Sequence, residues 1–237
     1  MYGYGYRYNS GLVIGAGGGA PFANTKSILF DGVDDNLYIG TALNLGINST
    51  ISLWVKLDTG FFGVLLGENT YPNDYLLYCA EGSAFYIRIA GVVGNYVLMW
   101  HQPSGGIVSG VWNNIVVQRT GDSIEAFLNG VSGGTKTGFG TVTDTMFDTV
   151  GAKPTGALAI GGVIDEIAVW NNSTVNPVDI YNLGTPTDLS LLATPPISWW
   201  RNGDGDTYPT ITDNGSGGNN GTMTNMDAGD IVTDVPL

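Results

Sequence analysis

The stretch "WNNIVVQRTGDSIEAFLNGV", residues 112–131, reads as two strands around a Thr120-Gly121-Asp122 turn. The second strand ends in Asn129-Gly130, a pair whose tolerance of positive φ favours a type I′ hairpin turn. Outward from this hairpin the same texture repeats. "SILFDG" (27–32) and "NLYIG" (36–40) form strand, turn, strand, and "STISLWVKLD" (49–58) alternates, with Ile51, Leu53 and Val55 opposing Ser52, Trp54 and Lys56. "FFGVLLGE" (61–68), "DYLLYCA" (74–80), "AFYIRIAG" (84–91), "NYVLMWHQ" (95–102), "ALAIGG" (157–162) and "VIDEIAVWN" (163–171) continue the series. A short helix fits only "NPVDIYNLG" (176–184), with Pro177 early and Gly184 at its end. Many short strands at regular spacing predict an antiparallel, two-sheet all-β sandwich.

Composition supports this reading. The 237 residues include 37 Gly, 43% apolar residues and only 12% charged ones, which is ample material for a core and suits short strands joined by tight turns. The net charge of −13 repels phosphate backbones, so no nucleic-acid partner is expected, and it suits hard cations such as calcium. The single cysteine, Cys79, forms no intrachain disulfide and reads as a small buried hydrophobe. The N-terminus lacks the basic start and apolar core of a secretory signal, and no stretch approaches a membrane span. The expectation is a soluble protein made in a cytoplasm, without membrane insertion.

Residues 1–24 form an aromatic, Gly-rich arm in which Tyr2, Tyr4, Tyr6 and Tyr8 alternate with other residues. Period-2 spacing places them on one face of an extended segment, suited to docking on another chain.

Four pieces in order, "ILFDGVDDNLYIG", "STISLWVKLD", "WNNIVVQRTGDSIEAFLNGV" and "IGGVIDEIAVWN", resemble the laminin-G-like, concanavalin A-like jelly roll, the group that includes pentraxins, over residues 25–185. The resemblance implies a concanavalin A-like jelly-roll sandwich over residues 25–190. That family's first strand carries an apolar-Trp stretch, an acidic turn and a "D-x-S-G-N-x-N-x-G" run. Here those features come last, in "ISWWRNGDGDTYPTITDNGSGGNNGTMTNM" (197–226), with Asp213, Gly217, Asn219, Asn220 and Gly221. Residues 191–237 therefore read as a segment that completes the sandwich in cis or, alternatively, in a neighbouring copy. A truncated second repeat is a third option.

Catalysis finds no support in the residues. Retaining glycanases need two carboxyls about 5–5.5 Å apart. Strict alternation along "VIDEIAVW" turns Asp165, Ile167 and Val169 one way and Glu166, Ala168 and Trp170 the other, leaving no carboxylate pair on either face. His101 stands alone, so a nucleophilic triad fails too. The chain reads as a non-enzyme. The resemblance implies a structural calcium held by Asp35 and Asp165, with Asp31 or Asp34 in support; "NGDGDTY", with Asn202, Asp204 and Asp206, is a weaker candidate. Tyr71, Tyr75 and Trp100 are the aromatics expected to meet a glycan, whereas the resemblance implies that Trp54, Trp112 and Trp170 lie in the core or at its margin.

Two readings follow. The first is a structural part of a virion (capsid decoration, head fibre or tail component), since the arm and the "GDGDTYPTITDNGSGGNNGT" segment resemble small laminin-G-like proteins of tailed phages. Its partners would be other virion proteins, copies of itself and host surface glycans. The second is a calcium-dependent carbohydrate-binding module, extracellular or at a cell surface.

Overall fold

A computed structural model of the chain describes residues 22–68, 76–80, 85–88, 97–100, 106–138 and 146–237. In chain order its strands are β1 Ser27–Asp31, β2 Asn36–Asn44, β3 Asn48–Leu57, β4 Phe62–Gly67, β5 Leu77–Ala80, β6 Phe85–Arg88, β7 Val97–Trp100 and β8 Asn113–Thr120. They continue as β9 Ser123–Leu128, β10 Val131–Lys136, β11 Met146–Val150, β12 Gly161–Asn171, β13 Ser198–Trp200, β14 Thr210–Ile211, β15 Gly221–Thr224 and β16 Ile231–Val232. One short helix, α1 Pro177–Tyr181, lies between β12 and β13.

Two antiparallel sheets form the sandwich. The first runs β10-β9-β8-β3-β12-β1-β16, and the second runs β14-β15-β2-β11-β4-β5-β6-β7. β12 is long enough to take two partners end to end on one side. Gly161–Ile164 pair with β1, and Ile167–Val169 pair with β13. Segment 191–237 thus pairs with its own chain, through β13 on β12, β15 on β2 and β16 on β1.

Burial follows the alternation. Ile51, Leu53 and Val55 of β3 enter the inter-sheet core with Phe30, Leu37, Ile164, Ile167 and Trp200. Trp200 is fully buried and donates its indole N–H to the carbonyl of Asn219 at 2.7 Å. Truncating such a side chain costs about 3–5 kcal/mol. The outer face of the first sheet is covered as well. Val116, Ala168 and Trp170 pack there against Ile180, Leu189 and Trp199. β3 is therefore buried on both faces over most of its length.

Asp213, in the run expected from the family's first strand, organises the return of the chain beside β13. Its carboxylate accepts the backbone N–H groups of Trp199 at 2.7 Å, Gly215 at 2.8 Å and Asn219 at 2.8 Å. Gly215 allows this fold-back, because a Cβ there would collide with the carbonyl of Ile197.

Two local expectations change. The helix ends before Gly184: Asn182 takes the left-handed cap conformation at φ 43° and Leu183 follows at φ 59°. Strict alternation along "VIDEIAVW" also breaks. A bulge sets two residues of β12, Glu166 and Ile167, against one of β3, Leu53, between the Asp165–Trp54 and Ala168–Ser52 pairs, and Glu166 takes φ 48°. Asp165 and Glu166 therefore both leave the inter-sheet core, and two buried carboxylates sit side by side where period-2 reasoning separates them.

Candidate functional site

β3 runs through the middle of the first sheet, so its outward residues Trp54 and Lys56 share one face. α1 lands on that face. Its start is set by Pro177 and by Asn176, whose side chain accepts the N–H of Val178. At its other end Tyr181 stacks on Trp54, with ring centroids 5.9 Å apart and planes 23° from parallel. The hairpin turn closes against the same ring. Asn129 and Gly130 have φ 52° and 75°, as the type I′ expectation requires, and a Cβ at Gly130 would lie 2.8 Å from the Tyr181 ring.

Trp112, immediately before β8, and Asp234, beyond β16, complete the walls. The Asp234 carboxylate accepts from Lys56 Nζ at 2.7 Å and from Trp112 Nε1 at 3.2 Å. Its backbone carbonyl accepts from Ser27 Oγ. The result is an open cleft of about 400 Å³ lined by Trp54, Trp112, Tyr181, Lys56, Asn129 and Asp234, with Val235 and Leu237 at its margin. Aromatic surface beside an ammonium, an amide and a carboxylate suits a small amphipathic ligand such as a sugar ring. The lining holds one carboxylate, so it supplies no acid–base pair of the glycosidase kind.

The expected calcium ligands divide. Carboxylate oxygens of Asp31, Asp34 and Asp35 all lie within 4.8 Å of one another, the one such acidic group among the described residues. Asp35 Oδ2 accepts the Asp31 N–H at 2.9 Å. Burial, reinforced by the neighbouring acids, pushes the Asp35 carboxyl up to about 6. Asp165 does not join them. Asp31 pairs with Gly161 across the β1–β12 ladder, which leaves Asp165 four residues further along, about 13 Å at roughly 3.3 Å per residue.

Asp165 instead accepts from Asn24 Nδ2 at 2.9 Å and from the Glu166 N–H at 2.8 Å. Glu166 accepts from Trp199 Nε1 at 2.6 Å and from Arg201 Nε at 3.3 Å. Burial raises both carboxyls, Glu166 to about 7 against the pull of Arg201, and Asp165 well above the usual carboxylate range, with its neighbour Glu166 adding to the shift.

The weaker calcium candidate is consumed by local structure. Asp204 accepts from the Thr25 N–H and from Arg201, Asp206 accepts from the N–H groups of Gly203 and Thr212, and Asn202 donates to the Ile164 carbonyl. Trp100 belongs to β7, at the edge of the second sheet, away from the cleft. Tyr71, Tyr75 and the arm tyrosines Tyr2, Tyr4, Tyr6 and Tyr8 lie outside the described residues. Cys79 is buried, and burial pushes its thiol up, as an inert core residue requires.

Sequence reasoning placed Trp54 and Trp112 in or near the core. Trp54 is indeed buried, but under Tyr181 on the outer side of the sheet, and Trp112 is only half-buried. The signal for the cleft was Trp54 and Lys56 on one face of β3, beside an Asn-Gly hairpin. What lay beyond local reading was that α1 and Asp234 meet them there.

A family model described as the concanavalin A-like lectin/glucanases superfamily matches residues 31–180. No match was found among curated protein sequences. Among solved structures, a candidate carbohydrate-binding protein from Bacteroides ovatus superposes with a TM-score of 0.62 at 16% identity, over 92% of this chain and 62% of that one. This chain therefore spans somewhat under two thirds of that relative. The CBM40 of the Ruminococcus gnavus IT-sialidase, bound to alpha2,3 sialyllactose, gives 0.52 at 16% identity over 67% of this chain and 95% of that one. The heptameric SAP-like pentraxin of Limulus polyphemus gives 0.50 at 14% identity, over 65% and 79%. The identities are low and these likenesses speak to the fold alone. The family model covers well over half of the chain, and the observed sandwich agrees with it: this chain belongs to the concanavalin A-like lectin/glucanases superfamily, as a laminin G-type domain.

Proposed function

We propose that this chain is a non-catalytic carbohydrate-binding domain and that the Trp54–Trp112–Tyr181 cleft is its binding site. The observation that carries this reading is the convergence of three aromatic rings with Lys56, Asn129 and Asp234 around about 400 Å³ of open space. Apolar sugar faces pack on aromatic rings, and hydroxyls meet the polar rim. The sugar-binding relatives support the class of ligand. The test is a broad glycan panel followed by calorimetry with the wild type and Trp112→Ala. Binding that the substitution abolishes supports the reading; flat curves from folded wild-type protein across the panel refute it.

Calcium has a structural place in this reading. Asp31, Asp34 and Asp35 offer oxygen donors only; burial first and the neighbouring acids second raise Asp35, and a divalent cation would offset the repulsion among them. A bound ion would brace the loop between β1 and β2, on which no cleft residue lies. Placement outside the cell or on a surface fits a glycan ligand. Among the described residues no helix is long and apolar enough to cross a membrane. The virion reading rests on the N-terminal arm, outside the described residues, and on segment 203–222, whose strands β14 and β15 join the second sheet beside β2.

A further inference from the structure

The polar half of the cleft is already engaged by the chain itself. Both oxygens of Asp234 are held, Oδ2 by the Lys56 ammonium at 2.7 Å and Oδ1 by the Trp112 indole N–H at 3.2 Å. Two donors from separate parts of the first sheet thus converge on one carboxylate, directly beside the Trp54–Tyr181 stack. We propose that the cleft receives a sugar bearing a carboxylate, and that Asp234 is an intramolecular stand-in for that group. The inference rests on the carbohydrate-binding reading above and assigns the ligand's class.

Three observations carry it. Lys56 is the one cation in the cleft lining, in a chain with only 8 Lys and Arg against 21 acids. A positive charge kept beside an aromatic platform in so acidic a protein marks the spot where an anion is tolerated. The present occupant is also easily exchanged. The Lys56 and Asp234 side chains are 31% and 44% exposed, and ion pairs of that kind hold weakly. Exchange of one carboxylate for another keeps the charge and both hydrogen bonds, so the incoming acid meets no unpaired ammonium. A neutral sugar entering the same place must either leave Asp234 where it is or strand Lys56.

The segment carrying Asp234 can move without unravelling the sandwich. It lies at the edge of the first sheet, where β16 pairs with β1 over only two residues, and beyond this Asp234 is tied by the Ser27 hydroxyl. No inter-sheet core residue lies in 233–237.

The test uses matched oligosaccharides that differ only in the terminal ring: glucuronic acid against glucose, and galacturonic acid against galactose. Calorimetry is run on the wild type, Asp234→Asn, Lys56→Met and a remote control, Asp122→Asn in the β8–β9 turn, each checked by thermal melting. The wild type is expected to prefer at least one acidic member over its neutral partner. Asp234→Asn should tighten that acidic ligand by up to about fivefold, the limit set by a part-exposed pair, and so widen the preference over its neutral partner. Lys56→Met should erase the preference, and Asp122→Asn should change nothing. A wild type that binds the neutral members as well or better overturns the inference and leaves the carbohydrate-binding reading standing. Weaker acidic binding by Asp234→Asn also overturns it, since Asp234 would then be a ligand contact. Binding of no sugar at all overturns both.

Discussion

Replacing Asp165 by Asn is expected to stabilise the protein above neutral pH, the reverse of what removing a buried hydrogen-bonding acid usually does. Asp165 and Glu166 are both buried, and the bulge in β12 sets them side by side. Their carboxyls are raised, chiefly by burial, so the native state holds protons that the unfolded chain releases. Stability contributed by such groups is fully present below the ordinary carboxylate range. It falls as pH rises from about 4.5 towards the raised value, about 7 for Glu166. That span corresponds to about 3 kcal/mol for Glu166 alone. Asp35, raised to about 6, changes stability in the same direction. Asn at 165 removes one buried charge and keeps the shape. Its oxygen can still accept the Glu166 N–H. Its amide can donate to Asn24 Oδ1, which has no partner in the native chain, once the Asn24 amide turns over. The expected gain is on the order of 1–3 kcal/mol at pH 8 and near zero at pH 5. For a chain of this length each kcal/mol moves Tm by roughly 2–4 °C. Urea unfolding of both proteins at pH 5 and pH 8 reads this directly. The reasoning is refuted if the wild type is more stable at pH 8 than at pH 5, or if Asp165→Asn is destabilised equally at both.

Other outcomes can be stated more briefly. Asp213→Ala should cost about 3 kcal/mol or more, because three backbone N–H groups lose their acceptor at once, and amide exchange should accelerate first in 198–200 and 213–221. Gly130→Ala should cost about 1–2 kcal/mol, combining a positive φ with a Cβ pressed on Tyr181, and should weaken glycan binding; an unchanged Tm would contradict the packing. Trp112→Ala should lower glycan affinity at least tenfold while shifting Tm by only a few degrees, since the ring is half-buried. Millimolar calcium should raise Tm in the wild type and leave an Asp31→Asn/Asp34→Asn double variant unmoved, with a larger effect at pH 7 than at pH 5 because Asp35 must give up its proton.

What the sequence by itself determined is what local chemistry encodes. Alternation along 49–58 sends Ile51, Leu53 and Val55 inward, Asn129-Gly130 makes the turn its φ tolerance permits, and Pro177 starts the helix. Each is settled by neighbours a few residues away, so each reads correctly without knowledge of the rest. The cleft is not of that kind. Its parts come from β3, residue 112, the 129–130 turn, α1 and Asp234, and only the stacking order of the first sheet and the landing of α1 on β3 bring them together. The carboxylates show the same division. Asp31, Asp34 and Asp35 share one loop and stay together, whereas the position of Asp165 depends on the β1–β12 register, which carries it to the far end of β1. A single inserted residue in the ladder then overrides period-2 alternation at Glu166, because a bulge is a property of two paired strands and is absent from the pattern of either one alone.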